Sequence, residues 1–303
     1  MKSFGKYLLA DNIRAAIAAL SFSLLAFFLP VGFFTTVILG LVTLQKGYKA
    51  SLVVLAFVLL PAIALVITRH FSFFYRFDLL LAQCSLVFIF GLILRYATSW
   101  QWVLEAASVI GTLVVSMVHL IFPNIRKMWI GLINNYLQFN DWALTFHLGT
   151  DRSAEFVQHL VSIATGSFIF FVLFGTIILL ISARWWQTAL FSPGRLQFEF
   201  TKIRISQVSA SLLIIASIGL IWQPSWLVDT YPVLLFPFMI EGLSILHWLV
   251  MNRKEMVLLM VMIYIAFLLL TFFTVIILAI MGLIDSFYNF RKHYTLFKEL
   301  TRI

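Results

Sequence analysis

Cysteine is almost missing from this sequence. Cys84 is the single thiol among 303 residues, so neither an intramolecular disulfide nor a Cys-pair metal site can form. Charge is scarce as well: 11% of residues are Asp, Glu, Lys or Arg, against ~25% in soluble domains. No Gly-x-x-x-x-Gly-Lys loop occurs, which excludes ATP hydrolysis of the phosphate-loop kind, and no His-Glu-x-x-His or Gly-x-Ser-x-Gly pattern occurs either. The six histidines (70, 119, 147, 159, 247 and 293) include no i, i+4 pair that would share one helix face. The residues therefore name no enzyme, no cofactor and no metal.

What is present is apolar. Hydrophobic residues make up 62% of the chain, with 32 Phe, and the mean hydropathy is +1.03. A water-soluble fold of this size has too little interior to hide so much apolar surface, whereas a bilayer accepts it. The expected fold is an all-α, polytopic transmembrane helix bundle of about eight to ten membrane segments. Residues 1–303 would form one integral membrane domain, with the lipid bilayer as partner. The net charge of +9 does not point to nucleic acid, because the basic residues sit in short clusters between apolar runs, as the positive-inside rule expects.

The apolar runs are Ile13–Leu29, Val31–Leu44, Ala50–Ile67, Leu79–Leu94, Val103–Phe122, Leu160–Ile181, Val208–Trp222, Tyr231–Val250 and Met256–Ile284. Pro30 makes the first two either a hairpin or one kinked helix, and the last run is either one long helix or two. If both stretches are divided, Lys and Arg split 16 inside against 5 outside (Arg69, Arg76, Arg126, Lys127 and Arg152); with single helices the split is 12 against 9. The rule prefers the divided form, with both termini cytoplasmic in a bacterial inner membrane. Lys2, Lys6 and Arg14 before an apolar run look like a signal peptide, but no small-residue cleavage pattern follows, so the run is expected to be an uncleaved first span. Residues 123–159 are expected to hold an interfacial amphipathic helix around Trp129, Leu132, Ile133, Tyr136 and Leu137. Residues 182–207 read as a cytoplasmic loop with a Ser192-Pro193-Gly194 turn, and 287–303 as an interfacial anchor and basic tail.

Glu241 is the sharpest single residue. A carboxylate near the middle of a span costs about 2.5–3.5 kcal/mol on insertion scales, so a ligand, a proton or a partner should compensate it. His247 lies six residues on, off that face, and is a second candidate ligand contact, with stacking against Trp248 as the bland reading. For Glu105 and His119, near the ends of their span, snorkelling or a structural hydrogen bond is expected. Cys84 is expected to be an inert packing residue. Ala15, Ala19 and Ser23 form a small-residue stripe suited to close helix approach, either inside the protein or against a separate membrane subunit.

Three stretches together resemble the YybS-like family of polytopic bacterial membrane proteins of unknown function. The first is Arg184-Trp185-Trp186-Gln187 with Ser192-Pro193-Gly194, Phe198-Glu199-Phe200 and Arg204. The second is Gly242-Leu243-Ser244-Ile245-Leu246-His247. The third is Gly282-Leu283-Ile284-Asp285 with Phe290-Arg291. The family is distantly similar to substrate-binding S components of energy-coupling-factor transporters, through the Ala15/Ala19 stripe and Leu41–Ala50. The resemblance implies a small-solute binding or transport subunit whose alanine stripe docks a coupling subunit and whose ATPase is a separate chain. The alternative is a membrane scaffold that binds cytoplasmic proteins or anionic lipid through residues 182–207 and the basic tail.

Overall fold

The computed structural model describes residues 2–67, 78–139, 150–222 and 224–294. Every regular element among them is helical. In chain order they are α1 (Lys2–Ala10), α2 (Asn12–Leu25), α3 (Gly32–Lys46), α4 (Tyr48–Ile67), α5 (Asp78–Ala97), α6 (Trp100–Ile121) and α7 (Ile125–Phe139). Then follow α8 (Thr150–Ser162), α9 (Ala164–Phe191), α10 (Arg195–Phe200), α11 (Gln207–Gly219), α12 (Ser225–Asn252), α13 (Val257–Leu269) and α14 (Thr271–Tyr288). Arg69, His70, Arg76, His147, Lys298 and Arg302 lie outside the described residues.

Both ambiguous stretches are divided. Asp11, in extended conformation, caps α2 by accepting the Ile13 amide at 3.2 Å. Beyond Leu25 the chain turns at Pro30 and returns as α3, where the Thr35 hydroxyl donates to the Ala19 carbonyl at 3.2 Å and Phe34 meets Phe22. The last run breaks at Leu270 into α13 and α14. Among the described residues five helices (α5, α6, α9, α12 and α14) are long and apolar enough to cross a bilayer, or six spans if α1 and α2, bent by 116°, count as one. The apolar helices α3, α11 and α13 are shorter, and α4, 20 residues long, has Pro61 inside it. Thirteen residues, the length of α13, rise about 20 Å against a hydrocarbon core of about 30 Å. Large apolar side chains are bare on the spans and their ends, among them Phe28, Leu120, Ile221 and Leu268. Water would not tolerate that surface and lipid does, so the chain is a multi-pass membrane protein.

The helices group into two compact units, Met1–Ala106 with Val172–Ile203, and Ala107–Phe171 with Arg204–Ile303. The single domain expected from composition is thus a chain that leaves its first unit within α6 and re-enters it within α9. In the first unit α3 is the central helix, buried continuously from Thr35 to Leu44. Its Gly40 has Ala183 of α9 and Val87 of α5 against it, so that a Cβ there would stand 2.8 Å from the Ala183 methyl. Gly47 ends α3 at φ +87°, a left-handed conformation that suits glycine. Arg95 covers it and donates to the Leu44 carbonyl at 2.6 Å.

In the second unit, α12 carries Pro232 and Pro237 in its interior. Each removes the amide that would bond four residues back. The carbonyl released by Pro237 belongs to Val233, and the Ser108 hydroxyl of α6 donates to it at 3.3 Å.

One sequence expectation changes. Residues 182–191 are not loop but the last turns of α9, because the polar residues Arg184 and Gln187 continue the helix past the end of the apolar run. Gly194 (φ +87°) then turns the chain into α10. Within 123–159, α7 places Met128, Leu132 and Tyr136 exposed at i, i+4, i+8, an apolar stripe beside the exposed Arg126 and Lys127.

Gly40→Val is expected to lower stability by about 1–3 kcal/mol through overpacking. Gly131→Ala, which meets nothing within 4 Å, should be neutral. Thermal unfolding of the two variants in one detergent compares them.

Candidate functional site

Glu241 is fully buried in the second unit. It sits where α12 and α14 touch backbone to backbone. A Cβ on Gly242 would collide with the Leu278 carbonyl, and one on Gly282 with the Phe238 carbonyl, so glycine alone permits this approach. The approach brings the Ser286 hydroxyl to Glu241 Oε2 at 2.8 Å. Beside it, Asp285 is fully buried. Its Oδ1 accepts the Phe290 amide at 2.8 Å and its Oδ2 lies 3.7 Å from an Arg291 nitrogen. Arg291 in turn donates to Ser244 Oγ at 3.0 Å. Arg204 closes the end of α14, donating to the Asp285 and Ser286 carbonyls at 3.3 and 2.8 Å; a guanidinium there suits the negative end of the helix dipole. Asp285 thus pairs with Arg291, while Glu241 is held by the Ser286 hydroxyl and Arg204 by backbone carbonyls, in one polar cluster.

This cluster gathers members of all three stretches that carry the family resemblance: Arg204; Gly242 and Ser244; and Gly282, Asp285 and Arg291. Ser286 was not anticipated; its hydroxyl, beside Asp285 and one turn beyond Gly282, was the available signal. His247 does not join the cluster. Its Nδ1 faces its own helix's Leu243 carbonyl at 2.8 Å, and its Nε2 meets the Tyr264 hydroxyl at 3.2 Å. Trp248 packs against Tyr294.

Nearer the start of α12, an apolar cavity of about 320 Å³ lies among Phe170, Phe171, Tyr231, Leu235, Phe272 and Val275. Neither Glu241 nor His247 lines it. A second, polar pocket of about 160 Å³ includes His119, Arg126, Trp129, Thr165, Ser225 and Asp229. There His119 Nε2 and Asp229 Oδ2 are 2.7 Å apart, and Asp229 Oδ1 accepts the Gly166 amide at 2.8 Å. Asp229 escaped the sequence reading because it falls two residues before the apolar run that marks α12, in what reads as a loop.

In the first unit, Arg184 binds Glu199 through two nitrogens, at 3.0 and 2.5 Å, and Arg195 adds a third bond at 2.8 Å. Arg184 also donates to Gln187, which reaches Gln45 at 2.9 Å. Trp186 is buried against Phe4 and Gly5, while Trp185 is exposed. Ala15, Ala19 and Ser23 are fully buried. The docking role expected of this stripe is therefore corrected: its small side chains face neighbouring helices of the same unit, and no surface remains there for another subunit to touch. Cys84 is buried, 3.5 Å from the Thr36 hydroxyl, and Glu105 lies within reach of Gln101 on its own helix.

Comparison of the chain with protein-family models, curated proteins and solved structures finds no match.

Ser286→Ala is expected to cost about 1–3 kcal/mol, because it strips a donor from a buried carboxylate. Exposed Ser211, bonded only to its own helix at the Gln207 carbonyl, is the neutral control in the same unfolding assay. A pH dependence follows for Glu199. Burial pushes its carboxyl up, but the hydrogen bonds and charges of Arg184 and Arg195 outweigh this and hold it below the ordinary glutamate range. A folded-state value below the unfolded one gives stability that is complete above the ordinary value and lost as pH falls through the lowered one. The melting-temperature gap between wild type and Glu199→Gln should hold through neutral pH and close under acid conditions.

Proposed function

We propose that this chain is a YybS-like protein of a bacterial inner membrane that binds a small, largely apolar solute, as the binding subunit of an uptake system whose ATPase is a separate chain. The observation that carries the reading is the cavity of the second unit. Its volume, about 320 Å³, lies within the range of ~300–1,000 Å³ that small-molecule sites occupy. Part of its wall is α12, the helix that also carries Glu241. A transport protein needs an apolar chamber next to an element whose polar contacts can rearrange, and α12, with two interior prolines, has both neighbours. The 16-to-5 distribution of basic residues supports cytoplasmic termini. With the alanine stripe buried, a coupling subunit would meet other residues.

The second reading, a scaffold, is favoured by one observation: Trp185, Phe198 and the Arg195 side chain, all within 182–207, are exposed. Purification of the tagged protein from its native membrane in mild detergent, with mass spectrometry of bound small molecules and proteins, separates the two. Wild type is expected to retain a solute and an ABC-type ATPase, and Leu235→Trp, which fills the cavity, to lower solute occupancy about tenfold or more. Soluble partners lost on Trp185→Ala and Phe198→Ala, with no retained solute, would favour the scaffold.

A further inference from the structure

The polar pocket at the start of α12 goes beyond the solute reading and does not rest on it. Apart from Asp229 its polar side chains can all donate, and Pro123, Ile125 and Val161 complete the lining. Arg126 is exposed at the mouth, with one nitrogen 3.3 Å from Gln158. His119, 29% exposed at its side chain, is held by Asp229. The Trp129 indole donates to Thr165 Oγ1 at 3.0 Å, which leaves the Thr165 hydroxyl hydrogen to point elsewhere. Ser225 adds another hydroxyl at an exposed position. The one carboxylate, Asp229, is 3% exposed, with one oxygen on the Gly166 amide and the other on His119. It offers little acceptor to a ligand and serves to hold the imidazole. The first residues of α7, α9 and α12 line the pocket beside the last turn of α6 and the end of α8, so helix ends of both signs meet there and the donors are supplied by side chains.

We propose that this pocket binds a phosphate group, with Arg126 as the charged contact, the imidazole of His119 held beside it by Asp229, and Thr165 and Ser225 as hydroxyl donors. Its setting favours a lipid headgroup over free phosphate. Arg126 begins α7, whose exposed Met128, Leu132 and Tyr136 form an apolar stripe of the kind that lies in the plane of a membrane interface. Trp129 on the same helix suits that depth.

The test is native mass spectrometry of the full chain in detergent, titrated with dioctanoyl phosphatidylglycerol, with the matching diacylglycerol, and with inorganic phosphate as competitor. The phospholipid is expected to bind about tenfold or more above diacylglycerol, the scale of a charge-assisted contact. Arg126→Gln and His119→Gln should each remove most of that difference. Lys127→Gln, a neighbouring exposed cation that does not line the pocket, should not. Displacement of the lipid by millimolar phosphate would keep the site and assign it to free phosphate; resistance to displacement would assign it to lipid. Equal binding of both lipids without phosphate competition, or an equal loss in Lys127→Gln, would overturn the proposal.

Discussion

A carboxylate in a membrane-embedded helix has to be answered by another group at its own depth, and the second unit is organised around that requirement. Glu241 and Asp285 are both fully buried, so neither can be relieved by water. Their neighbours come from three separate parts of the chain: Ser286 from α14, Arg291 just past its end, and Arg204 from the segment before α11. The contacts that cross to α12, Ser286 to Glu241 and Arg291 to Ser244, would not reach if α12 and α14 stood a normal side-chain layer apart. Gly242 and Gly282 remove that layer. The glycines and the charges are thus one feature: the close approach is what allows short polar side chains to meet, and the polar contacts are what reward an approach with few apolar contacts of its own.

The same helix, α12, relates this cluster to both pockets. Its two prolines free the backbone carbonyls four residues back, those of Val228 and Val233. One of these, that of Val233, is claimed by Ser108. A helix with donors supplied from a neighbour is less self-contained than an ordinary one, since part of its backbone satisfaction depends on α6 staying in place. At its start, Gly166 of α9 meets Asp229 so closely that a Cβ would strike the Asp229 carbonyl. Polar residues such as Thr165 and Asp229 line the 160 Å³ pocket and Ser167 and Val228 the apolar cavity. The alternation comes from the helix itself, whose successive residues turn to different sides.

The sequence made the helices legible because apolar runs of this length have few other outcomes in lipid. Pro30 marked the first break correctly as to place. Charge bias divided the last run as the structure does at Leu270, although the helices it counted as spans include several too short to cross alone. Glu241 could be flagged from its depth alone, but its neighbours could not: Ser286 lies 45 residues away and Arg204 belongs to another segment, and pairing across such distances leaves no periodic trace. The Ala15-Ala19-Ser23 stripe was legible as a close-packing surface. Which helix it packs against is decided by tertiary structure, and the hydrogen bond from Thr35 to Ala19 fixes the answer as internal.

His119 and Asp229 show the same limit from the other side. Read alone, a histidine near the end of a span is explained either by snorkelling toward water or by a structural hydrogen bond. The structure gives it the second, a buried carboxylate at 2.7 Å, and that decides what the residue can do. A snorkelling histidine is free to swing with the interface. One clamped by Asp229, which is itself fixed to the Gly166 amide, is oriented before any ligand arrives, so the ordering cost of recruiting it has already been met by folding. A fixed imidazole with an exposed arginine in the same pocket would be a more selective device for an anion than the same groups on mobile side chains. That preorganisation is the physical reason to weigh this pocket separately from the general attraction of a basic protein for an anionic membrane surface.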